Sequence, residues 1–308
     1  MYRDPVLDRG TDDEAPAPFV VGVSRSGTTL LRLMLDAHPS LAIPHETHVL
    51  GDLVRAADEL SADAVVDIFV RAPTWPNMHV DPADLRAALD ALEPFRVADA
   101  VRTFYRLYAA RLGKPRWGDK TPPYREHLAA IARLLPEAHF IHLLRDGRDV
   151  ALSYRGLWFG PGDDPADAAT FWVDQVRATR AAGQRLDHYL EVRYEDLVTE
   201  PERVLRDVCA FIDLPFHPLM LQHERFADQR LAEMRASFGP WDAAPVDLER
   251  FVAIHQQVRQ PVDQTRIGRW RHEMAADDVR AFERVAHPLL AELGYEPVTT
   301  REEGHPVG

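Results

Sequence analysis

Residues 18–29, PFVVGVSRSGTT, pass from an apolar β-type run through a turn bracketed by Gly22 and Gly27 into the helical pattern of 30–36. A strand that empties through glycine into a helix N-terminus presents backbone N–H groups to a phosphate. The spacing Gly22-x-x-x-x-Gly27-x-Thr29 matches the phosphate loop G-x-x-x-x-G-K-[ST], except that Thr28 stands where the lysine belongs. A nucleoside-triphosphate hydrolase needs that ammonium on its outer phosphates, with Mg²⁺ beside it, so the ligand implied here carries less charge on its transferred group. Arg25, inside the loop, can supply a cation instead.

A second constellation lies in 139–155, HFIHLLRDGRDVALSYR. A buried-type strand ends in Arg145, the chain turns through Asp146-Gly147, and Ser153 follows eight residues after Arg145 on the next helix. A guanidinium beside helix amides and a hydroxyl suits a doubly charged phosphate. Read alone, the segment serves equally as a salt-bridged turn, Arg145 with Asp149 or Arg148 with Asp146, leaving Ser153 solvated. Beside the upstream loop, two anion sites at strand ends imply a ligand phosphorylated at two places.

The elements that must position these groups follow from periodicity. Strands are expected over 19–23, 139–144 and 189–193, and helices over 28–37, 123–135, 149–157, 165–186 and 201–212. A largely helical block (50–71, 82–92 and 97–112) is inserted after the first turn, with Asp81 placed to cap its second helix. Strands separated by helices imply an α/β fold, a parallel sheet flanked by helices on both faces, with ligands at the carboxyl ends of the strands. Those ends fall near Ser24, Arg145 and Tyr194. A single domain over 18–298 is expected between tails 1–17 and 299–308, whose charge, glycine and proline suit disorder.

At 308 residues and 46% hydrophobic, the chain can bury a large core. Its net charge of −13 opposes nucleic-acid binding, so any polyanion must meet a local cluster of arginines. One cysteine, Cys209, excludes an internal disulfide and a multi-cysteine zinc site, and reads as a small core residue. The N-terminus lacks an apolar signal core and no segment approaches ~20 apolar residues, so a cytoplasmic protein without membrane contact is expected. His45-x-x-His48 around Glu46 is not the H-E-x-x-H arrangement and has no evident third ligand, so no metal site is expected. Asp163-Asp164 and Asp277-Asp278 read as helix caps, and Phe171-Trp172 as a buried helical face.

On these motifs the chain resembles the sulfotransferases that take a sulfuryl group from 3′-phosphoadenosine 5′-phosphosulfate (PAPS). Their R-S-G-T-T loop for the 5′-phosphosulfate is matched by Arg25-Ser26-Gly27-Thr28-Thr29, and the arginine and serine of their 3′-phosphate site by Arg145 and Ser153. The tyrosine of their Y-E-D-L segment, which contacts adenine, is matched by Tyr194, and their lysine near the sulfate by Lys120. Thr265, Arg266, Gly268 and Arg269 of the run TRIGRW match their C-terminal cofactor segment. The resemblance spans about 18–295 and implies a P-loop nucleotide-kinase-like sulfotransferase fold, PAPS as donor and adenosine 3′,5′-bisphosphate as product.

The run 25–48 is most similar to the branch containing protein-tyrosine sulfotransferases and related bacterial enzymes, whose proposed base is a glutamate at the position of Glu46. Cytosolic steroid and phenol sulfotransferases use a histidine, which makes His45, His48 and His142 rivals. His48 stands where the tyrosine-directed enzymes carry an arginine, and the expected acceptor is a small-molecule or carbohydrate hydroxyl, with protein tyrosine as the alternative. Arg25 and Lys120 would then sit by the bridging oxygen, Glu46 or His45 would take the acceptor's proton, and no metal is required. Trp158-Phe159, just before Gly160-Pro161-Gly162, suits either a lid over the acceptor or simple packing. Two other classes stand beside this one. A kinase with a degenerate phosphate loop needs a Mg²⁺-binding acid and a substitute lysine. A non-catalytic nucleotide-binding module predicts damage among Arg25, Glu46 and Lys120.

Overall fold

The computed structural model describes residues 15–57, 59–236 and 247–298. The chain forms β1 (Ala17–Gly22), α1 (Thr28–Asp36), β2 (Leu41–Ala42), α2 (Leu50–Arg55), α3 (Ala62–Arg71), α4 (Pro82–Asp90) and α5 (Val97–Arg111). Next come β3 (Arg116–Trp117), β4 (Asp119–Lys120), α6 (Leu128–Leu134), β5 (Ala138–Leu144), α7 (Gly147–Tyr154), α8 (Pro165–Gly183) and β6 (Tyr189–Arg193). The rest is helical: α9 (Tyr194–Thr199), α10 (Pro201–Phe211), α11 (Glu224–Leu231), α12 (Leu248–Ala253), α13 (Trp270–Glu273) and α14 (Ala276–Glu292).

Four strands form a parallel sheet in the order β4-β1-β5-β6, while β2 pairs with β3. Every residue of β1 and β5 is buried because both faces of the sheet are covered. Phe19, Val21 and Phe140 face a core built with α2 to α6, whereas Val20, Ile141 and Leu143 face α1 and α10. A third core joins α7, α8 and α14 through Val150, Trp172 and Phe282. Register pairs Gly22 with Leu143 and Leu144 with Arg193, which brings the carboxyl ends of the three longer strands level.

All the expected strands form, and β4 adds a fourth whose two residues are too few to show a period. The helix expected over 50–71 is divided, because α2 stops at Arg55 and Ser61 restarts the chain by capping α3 through the amide of Ala64. The helix expected over 123–135 opens instead as a 3-10 turn, Pro122–Glu126, and becomes α6 only at Leu128. Asp81 caps α4, and Asp164 caps α8 through the amides of Ala166 and Asp167. Asp163 accepts the amide of Gly156 instead. Asp277 and Asp278 lie in the first turn of α14 behind its N-cap Ala275, complementing the helix dipole rather than capping. Cys209 is buried with its thiol 3.7 Å from the Met220 sulfur. Trp172 is buried, whereas Phe171 is only half-buried. β1 begins at Ala17, one residue before the expected boundary, and residues 1–14 and 299–308 of the expected tails lie outside the described residues. No described helix is long and apolar enough to cross a membrane.

Candidate active site

Between β1 and α1 the backbone takes positive φ at Arg25 (74°) and at Gly27 (96°), the N-cap of α1. Only glycine fits the second position, since a Cβ there would lie 2.4 Å from the Tyr194 ring. α1 has neither a side-chain cap nor an acidic residue in its first turn, so its leading amides remain available to an anion. Gly27, Thr28 and Thr29 line a cleft whose walls also include Arg25, Arg145, Ser153 and Tyr194. Arg266 and Arg269 close it from the C-terminal side.

Arg145 joins the walls. Its Nη1 donates to the Arg25 carbonyl at 3.0 Å, its Nη2 to the Arg266 carbonyl at 2.8 Å, and its guanidinium lies 4.3 Å from the Tyr194 ring centre. Its Nε is buried with no hydrogen-bond partner among the described residues. Arg25 donates Nε–H to Ser153 Oγ at 3.1 Å. Burial lowers the Arg25 guanidinium from its ordinary value, and repulsion from Arg145 and Arg266 adds to that. An anion relieves such repulsion, and an unsatisfied buried donor beside three further arginines fits a nucleotide carrying two phosphate-type groups.

Not every expected contact reaches the cleft. Ser26 is buried behind the loop, Thr265 gives its amide and hydroxyl to Asp263, and Gly268 donates its amide to Asp149 at 2.7 Å. None of the three lines the cleft. The salt-bridged turn forms only as Arg148 with Asp146, at 2.8 Å. Asp149 is taken by the amides of Gly268 and Trp270, which leaves Arg145 to the cleft.

Glu46 is returned to this edge by buried polar pairs. Asp36 accepts the Ile43 amide at 2.8 Å, Arg32 donates to the Ile43 carbonyl at 2.9 Å, and Arg230 pairs with Asp36 and Glu233, each at 2.8 Å. The Thr47 hydroxyl then donates to Asp119 Oδ2 at 3.0 Å. So held, Glu46 meets Lys120 Nζ through Oε1 at 2.7 Å and His48 Nε2 through Oε2 at 3.0 Å. Burial alone would raise the Glu46 carboxyl, but Lys120, followed by His48 and His45, holds it well below the usual carboxylate range. Lys120 has no exposed surface; burial lowers it and Glu46 supports its charge. Glu46 lies near enough to Arg25 for its negative charge to support the guanidinium, although neither Glu46 nor Lys120 lines the cleft itself.

The rival histidines separate. His45 is buried with its ring 5.6 Å from His255 and 5.7 Å from Phe251, and burial followed by Lys120 keeps it well below its ordinary pKa, hence neutral. His142 hydrogen-bonds the Tyr189 hydroxyl at 2.6 Å, and its charged neighbours are Arg180 and Arg125, so the structure withdraws it as a base for this site. No cluster of three or more His, Cys, Asp or Glu that could hold a metal occurs among the described residues. Trp158 and Phe159 both pack: Trp158 lies 6.4 Å from Phe251 and Phe159 lies 5.8 Å from Tyr154.

One wall of the cleft lies outside the residues expected from the sequence. His255, Gln257 and Val258, in the turns after α12, line the cleft, and the Ile254 carbonyl accepts from Arg25 at 3.4 Å. Burial, then Lys120 and Arg25, pushes His255 down to about 3. This segment carries no phosphate-binding motif, and the one signal available was its position just before the Arg266 run.

The sulfotransferase family model matches residues 16–218. Protein-tyrosine sulfotransferase 1 of Danio rerio is 28% identical over 292 residues, spanning 92% of this chain and 73% of its own. The protein-tyrosine sulfotransferase of Drosophila melanogaster is 26% identical over 302 residues, spanning 92% of this chain and 52% of its own, so this chain covers about half of that relative. Among solved structures, the sulfotransferase domain from the Synechococcus PCC 7002 olefin synthase superposes with a TM-score of 0.54 at 23% identity, over 88% of this chain and 94% of that one. The sulfotransferase domain from the curacin biosynthetic pathway gives 0.55 at 20% identity, over 92% and 98%. The structures share the fold, and the matched stretch carries Arg25, Glu46, Lys120, Arg145, Ser153 and Tyr194 at one edge of the sheet: the chain belongs to the sulfotransferase family.

Proposed function

We propose that this sulfotransferase moves the sulfuryl group of PAPS to a phenolic hydroxyl, with a peptide tyrosine as acceptor and Glu46 as general base. The carrying observation is the Glu46 carboxylate, clamped by Lys120 at 2.7 Å and His48 at 3.0 Å. A carboxylate held so far below its ordinary pKa is a weak base. It suits a hydroxyl of pKa near ~10, as a phenol has, better than an alkyl alcohol. The names of the Danio rerio and Drosophila melanogaster relatives point the same way, toward tyrosine rather than the small-molecule or carbohydrate hydroxyl expected from the sequence.

PAPS supplies the activated sulfuryl group when bound. In this reading the α1 amides and Arg25 would hold its 5′ end, Arg145 and Ser153 its 3′-phosphate, and Tyr194 the adenine, a reading supported by their sharing one cleft. Lys120, fully buried, neutralises negative charge beside Glu46 in a site of low dielectric.

The test is incubation with PAPS and three acceptors: a tyrosine peptide, a sugar and an alkyl alcohol, following bisphosphate release and the mass of the product. Turnover on the peptide is expected, and faster turnover on the sugar or alkyl alcohol overturns the acceptor. Glu46→Gln should bind the bisphosphate normally while kcat falls ~10²–10⁴-fold, with His45→Ala milder. The reverse ranking makes His45 the base.

A further inference from the structure

Glu46 is anchored at both oxygens from different places in the chain, by Lys120 of β4 and by His48 two residues along its own loop. The second anchor requires an uncommon backbone. His48 has φ of 57°, in the left-handed region that non-glycine residues seldom adopt. Hydrogen bonds on either side impose it. Before His48, the Thr47 amide donates to Thr121 Oγ1 at 3.0 Å and the Thr47 carbonyl accepts from Thr74 Oγ1 at 2.7 Å. After it, the amides of Val49 and Leu50 both donate to the Tyr124 hydroxyl at 2.9 Å. With the backbone so held, the imidazole lies back against the carboxylate.

The carboxylate torsion of glutamate is broad, so one anchor at Oε1 leaves Oε2 free to swing. A second anchor fixes the plane. Each carboxylate oxygen has two lone pairs, so accepting one hydrogen bond from Lys120 at Oε1 and one from His48 at Oε2 does not exhaust its capacity to take a proton.

We infer that His48 is a positioning residue that orients the Glu46 carboxylate toward the acceptor hydroxyl by donating Nε2–H to Oε2. This rests on the reading of Glu46 as base. In the step so served, the acceptor's O–H bond breaks and its proton passes to Glu46. The new O–S bond forms as the O–S bond to the bisphosphate breaks, the electron pair leaving with the phosphate.

The experiment compares His48→Ala, His48→Asn and His48→Gln with Glu46→Gln on the same acceptor, measuring kcat, bisphosphate Kd and the pH profile of kcat/KM. Glutamine places an amide N–H near the place of Nε2 and should restore most of the rate. Alanine, and asparagine with too short a reach, should lose about 10- to 100-fold in kcat with Kd unchanged. Their acid limb should move to higher pH, because His48 helps hold Glu46 down while Lys120, Arg25, His45, His255 and Tyr154 still surround it. Wild-type kcat and an unmoved limb in His48→Ala and His48→Asn overturn the proposal. So does a glutamine variant that folds yet is as slow as asparagine. If Glu46→Gln keeps its rate, the base reading itself fails, whatever the histidine variants do. If Glu46→Gln stays active and every His48 variant is dead, His48 is the base.

Discussion

Lys120 and Asp119 are adjacent in β4, and burial treats them oppositely. The Lys120 ammonium keeps a partner in Glu46, whereas Asp119 meets mainly neutral donors: Tyr105 at 2.8 Å and Thr47 at 3.0 Å. Burial therefore raises the Asp119 carboxyl to about 6, against the opposing effect of Tyr105, Thr121 and Thr47. A folded pKa above the unfolded value means that the folded state binds the proton more tightly. The stability this group contributes is fully present below the unfolded pKa of 3.8 and is lost as pH rises through about 6. Asp119→Asn cannot ionise and should not show that loss. The difference in unfolding free energy between wild type and variant should thus change by about 2–3 kcal/mol from pH ~4 to ~7, measured by urea denaturation. A difference that stays flat across that range removes the assignment.

At the scale of elements, one arginine ties three segments together. Arg145 leaves the end of β5, donates to carbonyls in the β1–α1 turn and in the Arg266 run, and packs on Tyr194 at the start of α9. Its remaining buried donor is the feature that points to a ligand rather than to a tie alone. Arg145→Ala should weaken adenosine 3′,5′-bisphosphate far more than adenosine 5′-phosphosulfate, which lacks the 3′-phosphate. The difference, read by calorimetry, should be ~1.5–3 kcal/mol for one charge-assisted hydrogen bond. Equal losses for both ligands would make Arg145 a structural tie.

Across the whole molecule, a net charge of −13 coexists with a cleft lined by Arg25, Arg145, Arg266 and Arg269. The cations are local and the surface is acidic, so affinity must come from a small anion that enters the cleft. Binding there engages the β1–α1 turn, α7, α9 and the segment after α12 together. Adenosine 3′,5′-bisphosphate at 100 times its Kd should therefore add ~2.7 kcal/mol to global stability, seen as a raised Tm, whereas ADP or ATP with Mg²⁺ should add far less. Equal shifts for all three would mean that the 3′-phosphate is not read.

Local chemistry in the sequence determined the phosphate-loop turn, the period of β1, β5 and β6, the caps at Asp81 and Asp164, and the placement of Arg25, Arg145, Ser153 and Tyr194 at one edge of a parallel sheet. Each of these rests on turn residues, capping residues and short apolar runs within about ten residues. Tertiary structure decided the rest. Lys120 meets Glu46 across 74 residues, and Arg25 reaches the Ile254 carbonyl across 229. β4 exists because β1 offers an edge to pair with, not because two residues carry a pattern. His142 and His48 are both rival bases in the sequence, yet packing gives one to Tyr189 and a hydroxyl clamp accompanies the turn of the other onto Glu46. Periodicity and turn chemistry are properties of short stretches, whereas which buried groups share a hydrogen bond is settled only when distant stretches pack and must satisfy one another.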